Sequence, residues 1–207
     1  MLKAQTPIRG EEDITFDAPS HTYTVRGKVV PLSVTALGAR AVPLEHQFDG
    51  SAVIARNLTS WRAKASSKYH SLVAGVSDAE AHANVLALWE RNRDAGTAMH
   101  KLFENVLNGE ALRTCDAEGH AAELAHFRAA MAEMPEAPVR TELCVYALNR
   151  DGDAAVAGQI DLLTRDRDGG CHIVDFKRTA NDLQPGAFAF GKRFLDGRPL
   201  NDHYKYS

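Results

Sequence analysis

With 207 residues, 44% of them apolar and 25% charged, the chain is long enough for one substantial domain and has the composition of an ordinary soluble globular protein, without low-complexity stretches. A net charge of −3 gives no general basic field for nucleic acid, although metal-site carboxylates lower the total and a local groove can still be basic. No run approaches the roughly 18 apolar residues of a membrane helix, the start has no signal-peptide pattern, and the three dispersed cysteines, Cys115, Cys144 and Cys171, form no CxxC pair and read as reduced thiols of an intracellular protein.

In chain order, residues 1–13 read as a polar arm. His21–Val25 and Lys28–Leu32 are short β-type runs around Arg26-Gly27, which marks a hairpin. Ser33 or Thr35 can cap a short helix after it. From Ser51 to about Leu72, Val53, Ile54, Leu58, Trp61 and Ala65 recur at helical spacing. Arg56, Arg62, Lys64 and Lys68 lie on or near that helix, either as a solvated face or as a surface that tracks phosphates. Ser77-Asp78 is an N-cap signal for a long helix over about Asp78–Leu107 with an apolar stripe from Val85 to Val106. Gly96 inside it is expected to permit a close approach, and His100 stands one turn further on the same face. Asn108-Gly109 ends the helix. Another helix is predicted over about Glu118–Met134, stopped by Pro135 and Pro138. Val139–Leu148 reads as a strand with Glu142, Cys144 and Tyr146 on one face. Residues 1–50 are thus an arm and hairpin and 51–207 a core, one compact domain overall.

The core is organised around Val156–Lys177. Two apolar runs flank Arg165–Gly170, whose Asp-Gly-Gly cluster predicts a hairpin. Asp161 follows Ile160 and precedes Leu162 and Leu163, and Asp175 sits between Val174 and Phe176. Carboxylates among core residues are costly unless paired, and a divalent metal is the simplest partner. Asp175 and Lys177 share one face of a strand while Phe176 points into the core. Two carboxylates and a backbone carbonyl suit a hard ion such as magnesium, and the lysine suits an anionic substrate or an attacking water.

A helix bearing Gly96-x-x-x-His100, a strand bearing Glu142, a strand bearing Gly158-Gln-Ile-Asp161 and a strand bearing Asp175-Phe-Lys177 follow one another in this order. The arrangement resembles the PD-(D/E)xK nuclease superfamily, and within it the RecB-like branch with its phage lambda-type exonucleases and CRISPR-associated adaptation exonucleases. The resemblance covers about residues 85–180, and the His21–Thr35 segment looks like the hairpin that precedes the core in some members. It implies an α/β fold with a restriction-endonuclease-like core, a small central mixed β-sheet flanked by helices. It also implies a magnesium- or manganese-dependent deoxyribonuclease, an exonuclease preferring free or single-stranded DNA ends, in DNA repair, recombination or processing. Asp161, Asp175 and the Phe176 carbonyl would hold the metal, His100 and Glu142 would complete or orient the shell, and Lys177 would be the catalytic lysine. The chain departs from the branch twice. No Gln-x-x-x-Tyr helix follows the lysine motif, since Gln184 is followed four residues on by Phe188 and the chain ends at Tyr204–Ser207. Three cysteines also cannot build the four-cysteine iron–sulfur site of the adaptation exonucleases. Two other readings stand beside this one: a nuclease-fold DNA-binding module without catalysis, and a metal-dependent hydrolase of a small phosphorylated substrate.

Overall fold

The computed structural model describes residues 2–43 and 47–179. They form two compact units: residues up to Val42 pack with those from Met99 onward, and Pro43–Ala98 form the other. Packing therefore divides the chain after Val42 and again after Ala98, not near residue 50. The stretch carrying Gln184, Phe188 and Tyr204–Ser207 lies outside the described residues.

In the first unit, strands β1 (Ile14–Asp17), β2 (Thr22–Val25) and β3 (Lys28–Val29) make an antiparallel sheet in that order. The β2–β3 turn is the expected hairpin. Arg26 and Gly27 take φ values of 49° and 78°, the left-handed pair that a two-residue turn requires. Residues 1–13 are not a free arm: a short helix α1 (Leu2–Gln5) packs beside the second sheet, and a 3-10 turn (Glu11–Asp13) follows it. The reason is Arg140, whose buried guanidinium pairs with Glu11 and donates to the Thr6 carbonyl at 3.1 Å.

The second sheet is also antiparallel, β4 (Ala137–Leu148), β5 (Ala154–Arg165) and β6 (Cys171–Val174) in that order. The Asp166–Gly170 turn closes β5 and β6 because the Asp166 carboxylate accepts from the Asp168 and Gly170 N–H groups at 3.0 and 2.7 Å. The expected α/β class holds, but the expected mixed sheet does not: the described residues form two three-stranded antiparallel sheets, with one parallel bridge between Ser33 and Ala157 outside the strand ladders. Ile14, Tyr23, Val25, Val30 and Ala157 form the apolar cluster that joins the two sheets.

Helix α2 (Val34–Ala41) starts at Ser33, whose Oγ accepts from the Ala36 N–H at 3.1 Å. It approaches β5 so closely that a Cβ on Gly158 would lie 2.6 Å from Val34 Cγ2. The glycine of the Gly-x-x-Asp motif is thus a packing requirement. Gly158→Ala is expected to cost about 1–3 kcal/mol, the usual range for overpacking, measured by urea unfolding. A smaller loss when Val34→Ala is added would identify the contact as the cause.

Helix α5 (Asp78–Leu107) contributes residues to both units, and each of its ends is fixed locally. At its start Ser77 and Glu80 form a reciprocal capping box: Glu80 N–H donates to Ser77 Oγ at 3.2 Å and Ser77 N–H to Glu80 Oε2 at 3.0 Å. At its end Gly109 takes φ 68° and the Glu110 N–H returns to the Asn105 carbonyl. Among the described residues Gly96 serves no close approach, because a Cβ there would meet none of them within 4 Å. Met99, Leu102 and Phe103 of α5 pack with Leu124 and Phe127 of α7 (Ala121–Glu133), which a separate short helix α6 (Thr114–Gly119) precedes.

The second unit holds α3 (Gly50–Ala63), α4 (His70–Val73) and the first part of α5 around Ile54, Leu58, Val73, Ala81 and Val85. The helix expected to reach Leu72 ends at Ala63. Arg62 is bound up in the turn that follows: it donates to the Val73 and Val76 carbonyls at 3.0 and 2.8 Å and pairs with Asp78. Arg62 is therefore structural and leaves the expected phosphate-tracking set. Among the described residues no helix is long and apolar enough to cross a membrane.

Candidate metal centre

Three chain segments bring their polar residues to one point in the first unit. Asp161 lies within β5, Glu142 within β4 and His100 near the carboxy-terminal end of α5. The pairs Thr141–Leu162 and Leu143–Ile160 bracket Glu142 and Asp161 in the register of the two strands. Glu142 has φ 48°, a conformation that a residue with a side chain adopts at a cost. The Gln159 side-chain amide donates to the Glu142 carbonyl at 3.2 Å and helps hold this bend. The ligand atoms of His100, Glu142 and Asp161 all lie within 4.8 Å of one another.

The charges of the three groups are coupled. Burial disfavours ionised Asp161, but the hydrogen bonds from His100 and the Phe176 N–H and the charges of His100 and Lys177 outweigh it, so its carboxyl is held below the usual aspartate range. His100 Nδ1 lies 3.4 Å from Asp161 Oδ2. That hydrogen bond raises the imidazole pKa against the effect of burial. Glu142 goes the other way: burial, then the nearby Asp161 and Glu104 carboxylates, push it up to about 7. A half-buried carboxyl short of positive charge, beside an ionised aspartate and an imidazole, is a donor set that suits a divalent cation.

Phe176 positions the other two. Its N–H donates to Asp161 Oδ2 at 2.7 Å, and its ring meets His100 edge-on at 6.2 Å between centroids. The same ring packs against Phe103 and Phe127, so the expectation that Phe176 enters the core holds. Its backbone reaches the site through the N–H, where the sequence led us to expect a metal-binding carbonyl. Arg178 ties this segment to α7 through Glu123 at 2.9 Å, a contact that no motif signalled.

Asp175 and Lys177 stand differently from their expected places. Strand β6 ends at Val174, so neither lies on it. Both side chains are more than half exposed, at 57% and 63%, and they pair with each other at 2.6 Å. Asp175 is therefore not embedded in a core strand, and it is outside the His100–Glu142–Asp161 group. Lys177 remains within electrostatic reach, since its charge acts on both Asp161 and His100.

Comparison with protein-family models, with curated proteins and with solved structures finds no match to this chain. The chemistry of the site itself therefore carries the functional reading. A groove of about 590 Å³ lies elsewhere, between the β2–β3 and β4–β5 turns. Its cations Arg26 and Lys28 are already paired with Asp13 and Asp153, which leaves it a poor anion site.

The protonation pattern makes a prediction. Glu142 keeps its proton up to about pH 7 and His100 is raised above its ordinary value, and both must be deprotonated to ligate a metal. Magnesium or manganese affinity is expected to rise by about tenfold or more between about pH 6 and 8, with protons released on binding. Without metal the sign reverses: the unfolded chain ionises Glu142 before the folded one does, so stability falls as pH climbs from the ordinary glutamate range to about 7. Calorimetry in buffers of different ionisation enthalpy measures the release, and pH-independent affinity would remove Glu142 from the ligand set.

Proposed function

We propose that the chain is a divalent-metal-dependent nuclease with a restriction-endonuclease-like core, hydrolysing DNA phosphodiester bonds from ends in the manner of the RecB-like branch its motifs resemble. One observation carries the reading. Residues from three separate motifs, His100, Glu142 and Asp161, converge with their ligand atoms within 4.8 Å, in the chain order of that superfamily.

These three residues would hold magnesium or manganese. When bound, the ion supplies positive charge that polarises the scissile phosphate and neutralises charge developing on it. Asp161 is kept ionised by His100 and the Phe176 N–H, so it accepts a cation without first losing a proton. Glu142 yields its proton as positive charge arrives. Lys177, exposed and within reach of the site's charges, orients the attacking water or stabilises negative charge on the phosphoryl oxygens. Asp175, paired with Lys177 at 2.6 Å, stands outside this group.

The test is digestion of end-labelled linear and closed circular DNA with magnesium, manganese or calcium. Linear DNA should shorten progressively while closed circles persist. Rapid nicking of relaxed circles points to an endonuclease. The exposed Asp175–Lys177 pair, outside the ligand group, favours a second reading: a DNA-binding module without catalysis, which would bind DNA and cleave it in none of these metals.

Lys177→Ala separates a catalytic lysine from an ordinary surface ion pair. The nuclease reading expects a loss of roughly 10²-fold in single-turnover cleavage with little change in KM. Metal affinity should not weaken, because a positive charge near the ion is removed. A plain ion pair instead predicts about 0–1 kcal/mol of stability lost and cleavage near normal. Loss of metal binding together with activity would contradict both and make Lys177 the residue that holds Asp175.

A further inference from the structure

We propose that the second unit carries a binding surface for single-stranded nucleic acid, built on a row of rings from Phe48 through Trp89 and Tyr69 to Trp61 with Lys68 beside it. The proposal takes its ligand class from the nuclease reading, and its test separates the two.

The rings are continuous. Phe48 meets Trp89 at 5.6 Å between centroids, Trp89 meets Tyr69 at 6.2 Å, and Tyr69 meets Trp61 at 4.2 Å. They are also held in place. Trp89 Nε1 donates to the Tyr69 hydroxyl at 3.0 Å, and a Cβ on Gly50 would come within 3.2 Å of Trp89 Cζ3. Trp61, Tyr69 and Trp89 back onto the apolar core of the unit while remaining partly open. Phe48 does not belong to that core: it is 76% exposed.

An exposed ring at the end of a fixed aromatic row can stack a base at little entropic cost. Phe48 is the large apolar side chain that stands exposed among the described residues of this unit. An apolar peptide groove would need large exposed aliphatic side chains around it, and none of the described residues of this unit is one. The charge is complementary to a phosphate backbone instead. Lys68 Nζ lies 5.0 Å from the centre of the Tyr69 ring, and Arg56 and Lys64 are exposed. From Gly50 to Ser77 the sequence contains neither Asp nor Glu, and Asp49 just before it is engaged as the cap of α3 at 3.0 Å. A cation beside a fixed aromatic row, with neither Asp nor Glu from Gly50 to Ser77, matches a single strand through both its phosphates and its bases.

The experiment measures binding of a short fluorescent oligothymidylate to the full chain in EDTA, where metal-dependent cleavage is absent. Phe48→Ala should weaken binding about tenfold, within the range for one stacked base, and Phe48→Tyr should restore it. Lys68→Ala should flatten the plot of log affinity against log salt by about 0.7, one phosphate contact on a single strand. An abasic oligomer of the same length should bind wild type and Phe48→Ala alike. Wild-type affinity in Phe48→Ala, equal binding of the abasic and intact oligomers by the wild type, or no binding at all overturns the surface. A protein that cleaves DNA while these variants bind unchanged keeps the metal centre and loses this surface. One that binds through Phe48 and never cleaves keeps the surface and loses the nuclease.

Discussion

Asp161→Asn is expected to abolish metal-dependent cleavage, by about a thousandfold or more, the equivalent of losing several kcal/mol of charge stabilisation in the transition state. The substitution keeps the shape of the side chain and a carbonyl oxygen to accept the Phe176 N–H, which now reaches Asp161 at 2.7 Å. It removes the negative charge that His100 and Lys177 help to maintain. The fold should survive, so thermal stability should change little while magnesium binding falls. A second readout follows from the His100 contact. The hydrogen bond to Asp161 is the leading cause of the raised imidazole pKa, so an NMR titration of His100 in the variant should move down. Cleavage at the wild-type rate would sink the site assignment. Lost cleavage with unchanged metal binding would leave Asp161 in the site but remove it from the ligands.

Glu11→Ala is expected to destabilise the protein by about 3–5 kcal/mol, the cost of leaving a buried charge without its partner. Arg140 has a side chain only 2% exposed, and Glu11 is itself 15% exposed. The guanidinium donates from Nη1 to Glu11 Oε2 at 2.7 Å and from Nη2 to the other carboxylate oxygen. Its Nε is buried with no hydrogen-bond partner among the described residues, and without Glu11 the neutral Thr6 carbonyl would remain as an acceptor. Loss of Glu11 also removes one tie of residues 2–13 to β4, leaving Arg140 on the Thr6 carbonyl and Tyr146 on Asp13. Replacing both partners, Glu11→Leu with Arg140→Met, should recover much of the loss, since an apolar pair avoids desolvating two ions. Urea unfolding of wild type, single and double variants measures this. A single variant losing less than about 1 kcal/mol would place the pair among ordinary surface ion pairs.

The two predictions test different parts of the molecule, yet they meet on one strand. Arg140 lies two residues before Glu142 on β4, and Glu142 carries the left-handed φ of 48°. A buried ion pair on one side and the bracketing β5 pairs on the other hold this stretch where its backbone would not settle alone. Activity loss in Glu11→Ala measured well below its unfolding midpoint would show that the pair also positions Glu142.

Much of this architecture was legible in the sequence because it depends on local energetics. The Ser77–Glu80 capping box and Asn108-Gly109 bound the long helix where expected, since unsatisfied N–H groups and a left-handed residue are problems solved within a turn. Arg26-Gly27 and the Asp166–Gly170 loop close hairpins for the same reason. The alternation of side chains also placed Phe176 in the core even though β6 stops two residues before it. Tertiary structure decided the rest, because burial and charge pairing join residues far apart in the chain. It selected Glu142, with His100 and Asp161, for the converging group and left Asp175 outside with Lys177. It turned Arg62 inward as a partner for the Val73 and Val76 carbonyls and bound the polar start of the chain to β4 through Arg140. A charged residue in a sequence does not reveal whether water, a carboxylate or a backbone carbonyl will solvate it. That choice is made by whichever partner the fold brings within about 3 Å.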